Sequence, residues 1–203
     1  LCGEEFLARA ADVPEQRLTV RRAQVALGAP CIMMYTSGTT SQPKGCLLSH
    51  EAVVRSALGM NRRLGIAGDD IMWNALPMFH MASILPLLSL VWSGGSFVSD
   101  TRFDAGRALA QIRTERATIL YPAFPAIMAD LLNHPEFDAR RLDCVRLVSN
   151  VAPPDTLRAN MRALPRALHV SAFGMTEASG ISCHGAPDED DETRATSCGR
   201  PYD

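Results

Sequence analysis

Short apolar runs alternate along the chain with longer segments in which apolar residues recur at helical spacing. The short runs predict strands over residues 30–35, 70–76, 96–99, 117–121, 144–149 and 167–172. The longer segments predict helices over residues 50–64, 81–92, 104–116, 124–133 and 154–163. Because strands separated by helices of about 10 to 15 residues are typical of βαβ units, the pattern predicts an α/β fold built on a parallel sheet.

Local signals add detail to this pattern at three places. Ser49 is the type of residue that caps the amino end of a helix, here the helix predicted over 50–64. The apolar segment 81–92 is interrupted by serine and proline and is too short to span a bilayer. The acidic run DEDDE at 188–192 lacks the glycine and the ligand spacing of a calcium loop, so we expect a solvated loop there.

Composition narrows the class of protein. With 203 residues, of which 47% are hydrophobic and 21% charged, the chain can bury a sizeable core, as one large domain or two small ones. The net charge of −2 disfavours a nucleic-acid-binding surface and a polybasic membrane anchor. The six cysteines form no CxxC pair, which disfavours zinc, and a chain of this size does not need a disulfide framework. We therefore expect reduced thiols in a cytoplasmic protein.

The stretch TSGTTSQPKG at 36–45 has the chemistry of a phosphate-binding loop. Gly38 and Gly45 let the backbone approach a ligand closely, and Lys44 supplies a positive charge. The residues that supply hydroxyl groups are Thr36, Ser37, Thr39, Thr40 and Ser41. The stretch follows residues 30–35, which we predict to be a buried strand, and open α/β sheets bind ligands at strand ends. The order Pro-Lys-Gly differs from a Walker A loop, and an ordinary surface loop rich in Ser, Thr and Gly is the alternative.

Four other segments follow in a fixed order: LPMFH at 76–80, VSNVAP at 148–153, AFGMTE at 172–177 and GRP at 199–201. Together with YTSGTTSQPKG they resemble the adenylate-forming superfamily, which includes acyl-CoA synthetases, luciferases and the adenylation domains of peptide synthetases. The resemblance extends from about residue 30 to the end of the chain, and TSGTTSQPKG with Asn150 is most similar to the carnitine/crotonobetaine-CoA ligase branch. It implies a layered, parallel-rich sheet with flanking helices, part of the N-terminal domain of these enzymes.

The resemblance also implies a two-step reaction. A carboxylate attacks the α-phosphate of ATP to give an acyl-AMP and pyrophosphate, and the thiol of CoA then displaces AMP. Charge that gathers on the phosphates must be neutralised, which implies Mg²⁺ as a cofactor. The partners implied are therefore a small carboxylate, ATP and CoA. Neither nucleic acid nor a membrane span is expected, and a homo-oligomer is left open.

Four residues are assigned to the chemistry by this resemblance. Lys44 would neutralise the β- and γ-phosphates, and Thr176 would donate a hydrogen bond to the α-phosphate. Glu177 would bind Mg²⁺ with the hydroxyl of Thr39. His80 would lie where the acyl carboxylate meets the nucleotide. The alternatives are a histidine satisfied at a helix start for His80 and an exposed loop carboxylate for Glu177.

A larger set is assigned to nucleotide binding: Thr36, Ser37, Gly38, Thr39, Thr40, Lys44, Asn150, Val151, Ala152, Phe173, Gly174, Met175 and Thr176. Among these, Phe173 would stack on adenine. The family has two glycines where this chain has Asn150 and Val151, so we expect their side chains to change the shape of the adenine pocket. Ser41 replaces another glycine, as it does in the carnitine-ligase branch. Candidates to flank the acyl group, if they are not simply core residues, are Met78, Met81, Ile84, Ser149 and Val151.

The family continues beyond the segment that matches 199–201. A ribose-binding Asp, a hinge and a C-terminal lid domain with a catalytic Lys follow there, and a large N-terminal portion precedes the matched region. We therefore expect residues 1–203 to be a fragment of the AMP-binding domain that is inactive alone. Two alternatives to an acyl-CoA ligase stay open: an adenylation domain that loads a carrier protein, and a nucleotide-binding domain without turnover. The intact Lys44, Thr176 and Glu177 disfavour the second.

Overall fold

The structure is a computed structural model that describes residues 3–36 and 42–202. These residues form strands and helices, and five of the strands form a central parallel sheet. The strands are β1 (Pro30–Thr36), β2 (Lys44–Ser49), β3 (Ile71–Asn74), β4 (Ser96–Ser99), β5 (Ile119–Ala123), β6 (Leu147–Asn150), β7 (Leu168–Val170), β8 (Ala172–Met175), β9 (Gly180–His184) and β10 (Arg200–Pro201). The helices are α1 (Glu4–Ala11), α2 (Glu15–Ala23), α3 (His50–Leu64), α4 (Met81–Ser93), α5 (Ala105–Thr114), α6 (Pro125–Leu132), α7 (Pro154–Ala163) and α8 (Asp191–Thr196). The predicted α/β class is confirmed.

The central sheet has five parallel strands in the order β4-β3-β5-β6-β7. From β3 the chain passes through α4 to β4 on one side, whereas from β5 it passes through α6 to β6 on the other side. Connections between parallel strands are right-handed. A helix that leads to the next strand on one side therefore lies on one face of the sheet, and a helix that leads to the other side lies on the opposite face. The winding therefore reverses between β3 and β5.

Both faces of the central sheet are buried, because successive residues of a strand point to opposite faces. The core that contains residues of α3 and α4 takes Met72, Ile119 and Leu147 from the sheet. The core that contains residues of α5 and α6 takes the next residue of each strand, namely Trp73, Leu120 and Val148. All six side chains are at most 2% exposed. This double burial explains why the strands appear in the sequence as uninterrupted apolar runs.

Capping residues fix the ends of the helices that the sequence predicted well. The side chain of Ser49 accepts a hydrogen bond from the backbone N–H of Ala52 at 3.2 Å, as predicted for the start of α3. The same helix ends at Gly65, whose φ of 56° is a conformation that favours glycine. Asp104 caps α5 by accepting from the backbone N–H of Arg107 at 2.8 Å, so this helix starts one residue later than predicted.

The prediction of a buried strand over 30–35 is wrong. Strand β1 pairs with β2 in an antiparallel two-stranded sheet that is separate from the central sheet, and only one of its faces is covered. Met34 is 9% exposed, whereas Met33 and Tyr35 are 58% and 69% exposed. Because inward and outward residues are both apolar here, the alternation of the two faces could not be seen in the sequence.

Two predictions near the end of the described chain also need correction. The last strand, predicted over 167–172, divides into β7 in the central sheet and β8, which pairs with β9 in a second antiparallel sheet. The acidic run at 188–192 is not wholly a loop. Asp190 accepts a hydrogen bond from the backbone N–H of Thr193 at 2.7 Å and caps α8, which the sequence did not predict. The helices α1 and α2 and the strands β9 and β10 were also not predicted from the sequence.

Two findings bear on the environment of the protein. Among the helices described, none has both the length and the apolar composition needed to cross a membrane. The cysteines of the described residues, which are Cys31, Cys46, Cys144, Cys183 and Cys198, are all free thiols.

An ion pair between the buried Asp70 and the partly exposed Arg146 fastens the amino ends of three strands of the central sheet. Asp70, just before β3, is 4% exposed and accepts hydrogen bonds from Arg146 at 2.5 and 2.8 Å, from the hydroxyl of Thr118 at 2.6 Å and from the backbone N–H of Ala67 at 2.9 Å. Thr118 precedes β5 and Arg146 precedes β6. Burial opposes ionisation of Asp70, but the hydrogen bonds outweigh it and hold the pKa of this carboxyl below its ordinary value.

We predict that Asp70→Asn lowers the free energy of unfolding by about 2 kcal/mol at pH 7, because a neutral amide cannot accept all the hydrogen bonds that the buried carboxylate receives from Arg146, Thr118 and Ala67. The contribution of the carboxylate is complete above the unfolded-state pKa of about 3.9, and it is lost as the pH falls through the lower pKa of the folded state. Urea denaturation at pH 7 and in acid should therefore show the difference between wild type and variant shrinking at low pH.

The matched control is Asp155→Asn, since Asp155 pairs with Arg158 at 2.7 Å while its own side chain is 98% exposed. We expect this variant to lose less than about 0.5 kcal/mol. Equal losses in the two variants would contradict a special contribution from the buried carboxylate of Asp70.

Candidate active site at the carboxyl edge of the sheet

A cavity of about 630 Å³ opens at the carboxyl ends of β3, β5 and β6. His80 lies beyond β3, Tyr121 and Ala123 lie at the end of β5, and Val151 follows β6 directly; all four residues line the cavity. The cavity therefore lies where the winding of the sheet reverses. Open α/β sheets bind their ligands at this point.

Residues from several of the segments that the sequence analysis singled out meet in this cavity. The predicted site residues that line it are Thr36, His80, Val151, Gly174, Met175, Thr176 and Glu177. The predicted site residues that do not line it are Lys44, Asn150, Ala152 and Phe173. Ser37, Gly38, Thr39 and Thr40 lie outside the described residues, so their roles stay predictions.

Lys44 lies beside the cavity rather than in its wall. It is the first residue of β2, and its Cα pairs with that of Thr36 at the end of β1. Side chains of directly opposed residues lie on the same face of an antiparallel pair. Since Thr36 lines the cavity, the exposed side chain of Lys44 lies on the same face of the β1-β2 pair, beside the cavity.

A tight connection between β8 and β9 holds Thr176 and Glu177. Gly174 is required in it, because a Cβ at this position would come within 2.0 Å of the carbonyl oxygen of Gly180. After a 3₁₀ turn, Ser179 donates its backbone N–H to the carbonyl oxygen of Thr176 at 3.0 Å. Glu177 is exposed at the cavity, and its carboxylate has no hydrogen bond or ion pair with the described part of the chain.

His80 caps helix α4 with its side chain. Its Nδ1 accepts a hydrogen bond from the backbone N–H of Ala82 at 3.0 Å, so the proton of the neutral ring is on Nε2. The ring is exposed, lines the cavity and stands edge-on to Phe124, with ring centroids 6.4 Å apart. The two interpretations of His80 are thus compatible, because Nδ1 is hydrogen-bonded at the start of α4 while the ring also faces the cavity.

A buried hydrogen-bonding network fixes the segment that leads from β3 into α4. Asn74, which is fully buried, donates to the carbonyl oxygen of Ala82 at 2.9 Å and accepts from the backbone N–H of Leu76 at 2.8 Å. The hydroxyl of Ser83 donates to the carbonyl oxygen of Leu76 at 2.7 Å. The carbonyl of Ala82 is available because Pro86, one turn further along α4, has no N–H to donate to it.

The two residues that replace the glycine pair of the family have different surroundings. Val151 is 43% exposed and lines the cavity. Asn150 is 1% exposed, does not line the cavity, and has no hydrogen-bond partner for its side-chain amide among the described residues. Val151 is therefore the member of the pair whose side chain shapes the cavity directly. Of the other candidates to flank an acyl group, Met81 lines the cavity, and Met78, Ile84 and Ser149 do not.

The sequence analysis missed the cavity residues that come from β5 and β9. Tyr121 and Phe124 lie at the end of β5 and just beyond it, and Gly180 and Ile181 begin β9. Tyr121 is 2% exposed, and burial raises the pKa of its hydroxyl. The first pair could have been found from the rule that ligands bind at the carboxyl ends of parallel strands. Strand β9 had no comparable signal.

A second buried network joins β6 to β9. His184 places Nε2 3.0 Å from the hydroxyl of Ser149 and Nδ1 3.0 Å from the hydroxyl of Tyr202. Burial and, to a smaller extent, the charge of Arg63 lower the pKa of His184 to about 3, so its imidazole is neutral near pH 7. Ser149 and His184 are both at most 2% exposed, so this pair contributes to packing and does not face a substrate.

Comparisons with known proteins give related sequences. Residues 3–203 match the family described as AMP-binding enzyme. The 3-[(3aS,4S,7aS)-7a-methyl-1,5-dioxo-octahydro-1H-inden-4-yl]propanoyl:CoA ligase of Mycobacterium tuberculosis is 30% identical over 203 residues, which cover 98% of this chain and 40% of that protein. The 4-coumarate–CoA ligase 3 of Oryza sativa subsp. japonica is 32% identical over 175 residues, which cover 81% of this chain and 31% of that protein.

Solved structures agree with the fold. ATP-bound MatB from Rhodopseudomonas palustris superposes with a TM-score of 0.76 at 24% identity, over 88% of this chain and 35% of that chain. O-succinylbenzoate coenzyme A synthetase (MenE) from Bacillus subtilis, in complex with AMP, superposes with a TM-score of 0.72 at 27% identity, over 88% of this chain and 45% of that chain. The chain thus spans less than half the length of each of these proteins.

We predict that Asn74→Ala lowers the free energy of unfolding by about 3 kcal/mol, because it leaves the carbonyl of Ala82 and the N–H of Leu76 buried without partners. Chemical denaturation measures the loss, and hydrogen exchange at the amide of Leu76 should become faster. Asn133→Ala is the matched control, since Asn133 is exposed at the end of α6. Similar losses in both variants would show that the network does not hold this segment.

Proposed function

Because the chain belongs to the AMP-binding enzyme family, as its motifs indicated, we propose that it forms the nucleotide- and acyl-binding core of an ATP-dependent acyl-CoA ligase. In the proposed reaction a carboxylate oxygen attacks the α-phosphorus of ATP, and the bond between the α-phosphorus and the bridging oxygen breaks to release pyrophosphate. The thiol of CoA then attacks the acyl carbon, loses its proton and displaces AMP. The relatives described above are CoA ligases by name, which supports CoA as the acceptor.

The observation that supports this proposal most is that His80, Thr176 and Glu177 share one cavity with Thr36, the residue that opens the hydroxyl-rich stretch. Nucleotidyl transfer needs hydrogen-bond donors and positive charge around the phosphates more than it needs covalent chemistry from the protein. The hydroxyl of Thr176 would donate to an oxygen of the α-phosphate. The hydroxyl of Thr36 and the ammonium of Lys44 would serve the outer phosphates.

His80 would orient the acyl carboxylate. Its Nδ1 is occupied by the cap of α4, so the N–H on Nε2 is the group left to hold a carboxylate oxygen. The wall next to His80 is apolar, since Met81, Ala82 and Ile181 line the same cavity. This wall would take the acyl chain and exclude water from the acyl carbon.

Mg²⁺ fits the residues present. A small hard cation prefers a carboxylate oxygen and keeps several of its waters, and Glu177 offers a carboxylate that has no partner among the described residues. When bound, Mg²⁺ would offset the negative charge of the phosphates. Thr39, the other ligand implied by the resemblance, lies outside the described residues.

We further propose that residues 1–203 belong to the AMP-binding domain of a longer ligase. The support is coverage: the chain matches 40% of the mycobacterial ligase and 45% of the AMP-bound synthetase. We expect no thioester synthesis from residues 1–203 alone. A cytoplasmic location stays a prediction. Membership of the carnitine/crotonobetaine branch stays a prediction.

We predict that Glu177→Gln in the complete ligase slows adenylation by about 10²-fold or more, because the amide keeps the size of the side chain but loses the charge that would hold Mg²⁺. ATP–pyrophosphate exchange over a series of Mg²⁺ concentrations measures this step. Thioester formation from a preformed acyl-AMP should change less than about threefold, since pyrophosphate and its metal have already left.

Glu115→Gln is the matched control, because Glu115 is exposed at the end of α5 and does not line the cavity. This variant should retain both half-reactions. Equal damage to both half-reactions by Glu177→Gln would contradict a metal-binding role and indicate a structural one.

A further inference from the structure

A tyrosine with an unpaired hydroxyl lies in the wall of the cavity. Tyr121, in β5, is 2% exposed and lines the cavity, yet its hydroxyl makes no hydrogen bond to any described residue. This hydroxyl is not one of the fully buried polar atoms that lack a partner, so it is open to the cavity, where solvent or a ligand supplies its hydrogen bond. By contrast, the hydroxyl of Tyr202 is 3.0 Å from Nδ1 of His184.

Among the described residues, Tyr202 is close enough to interact electrostatically with Tyr121, but no hydrogen bond joins the two hydroxyls. The ring belongs to the apolar core that contains Met81, and Ala82 and Ile181 pack against that core. These three residues also line the cavity, so Tyr121 stands in its apolar part. Burial raises the pKa of Tyr121, so the hydroxyl keeps its proton near pH 7 and can donate one hydrogen bond.

We propose that Tyr121 is a specificity-determining residue that selects carboxylic acids with a second oxygen, a keto or hydroxyl group, along the acyl chain. The inference rests on the proposed function for its assignment of this part of the cavity to the acyl group. An acyl chain without a second oxygen would cover the hydroxyl of Tyr121 and leave it without a hydrogen-bond partner. An oxygen on the chain beside this hydroxyl would accept a hydrogen bond from it. Sites that hydrogen-bond a substrate oxygen discriminate strongly against analogues that lack it.

Calorimetric titration of the complete protein, in the presence of AMP, tests this inference. The probes are octanoate and the 4-, 5- and 6-oxo-octanoates, which share one chain length and differ in the position of the acceptor. We expect at least one oxo acid to bind wild type about tenfold or more tightly than octanoate. Tyr121→Phe, which removes only the hydroxyl, should abolish that difference and leave the affinity for octanoate within about twofold.

Two control measurements separate selectivity from stability. Tyr121→Phe should melt at the same temperature as wild type or higher, since the lost hydroxyl has no partner among the residues that the structure describes. Tyr202→Phe should melt lower, because it removes a hydroxyl that pairs with His184, and it should keep the selectivity for the oxo acid.

The outcomes distinguish this inference from the proposed function. If wild type binds octanoate and all oxo acids equally, or if Tyr121→Phe keeps the preference, the role of Tyr121 is overturned, even where ATP–pyrophosphate exchange with these acids upholds the ligase. If Tyr121 governs binding but no acid supports exchange, the inference on Tyr121 stands and the proposed reaction fails. If no acid binds at all, the inference on Tyr121 is overturned, and the proposed reaction is judged by ATP–pyrophosphate exchange.

Discussion

The right-handed connection between parallel strands is the constraint on which the candidate site depends. The chain leaves β3 in one direction, through α4, and leaves β5 in the other direction, through α6. Because both connections are right-handed, α4 and α6 lie on opposite faces of the sheet. The chain segments that lead into them therefore separate at the carboxyl ends of β3 and β5. The cavity lies at this divergence, so residues far apart in the sequence, such as His80 and Val151, line one cavity.

Buried polar groups then set the positions of the walls. Asn74 ties the end of β3 to the first turn of α4 through a carbonyl that Pro86 leaves without its helical partner, and His80 caps the same turn. Gly174 allows β8 and β9 to approach closely, and the connection between them holds Thr176 and Glu177 at the cavity. Each of these residues acts through a hydrogen bond or a backbone constraint, which explains why the apolar pattern alone does not account for them.

The sequence predicted the parallel sheet and its helices well, because double burial and capping leave clear local signals: Ser49 marks the start of α3, and 96–99 and 154–163 match β4 and α7. It failed where burial depends on distant partners. The run at 30–35 reads as buried although Met33 and Tyr35 are exposed. The motifs located His80, Thr176 and Glu177. Tyr121 lies inside an apolar strand, and its hydroxyl can be recognised as unpaired only when the residues around it are known.

A co-crystal structure of the complete protein with an acyl-sulfamoyl adenosine, a stable mimic of an acyl-AMP, tests most directly whether this cavity binds the adenylate. We predict that the sulfamoyl group lies within hydrogen-bonding distance of the hydroxyl of Thr176, and that the acyl chain passes His80 towards Tyr121. Adenosine bound outside this cavity, or an acyl chain that points away from His80 and Tyr121, would contradict the assignment.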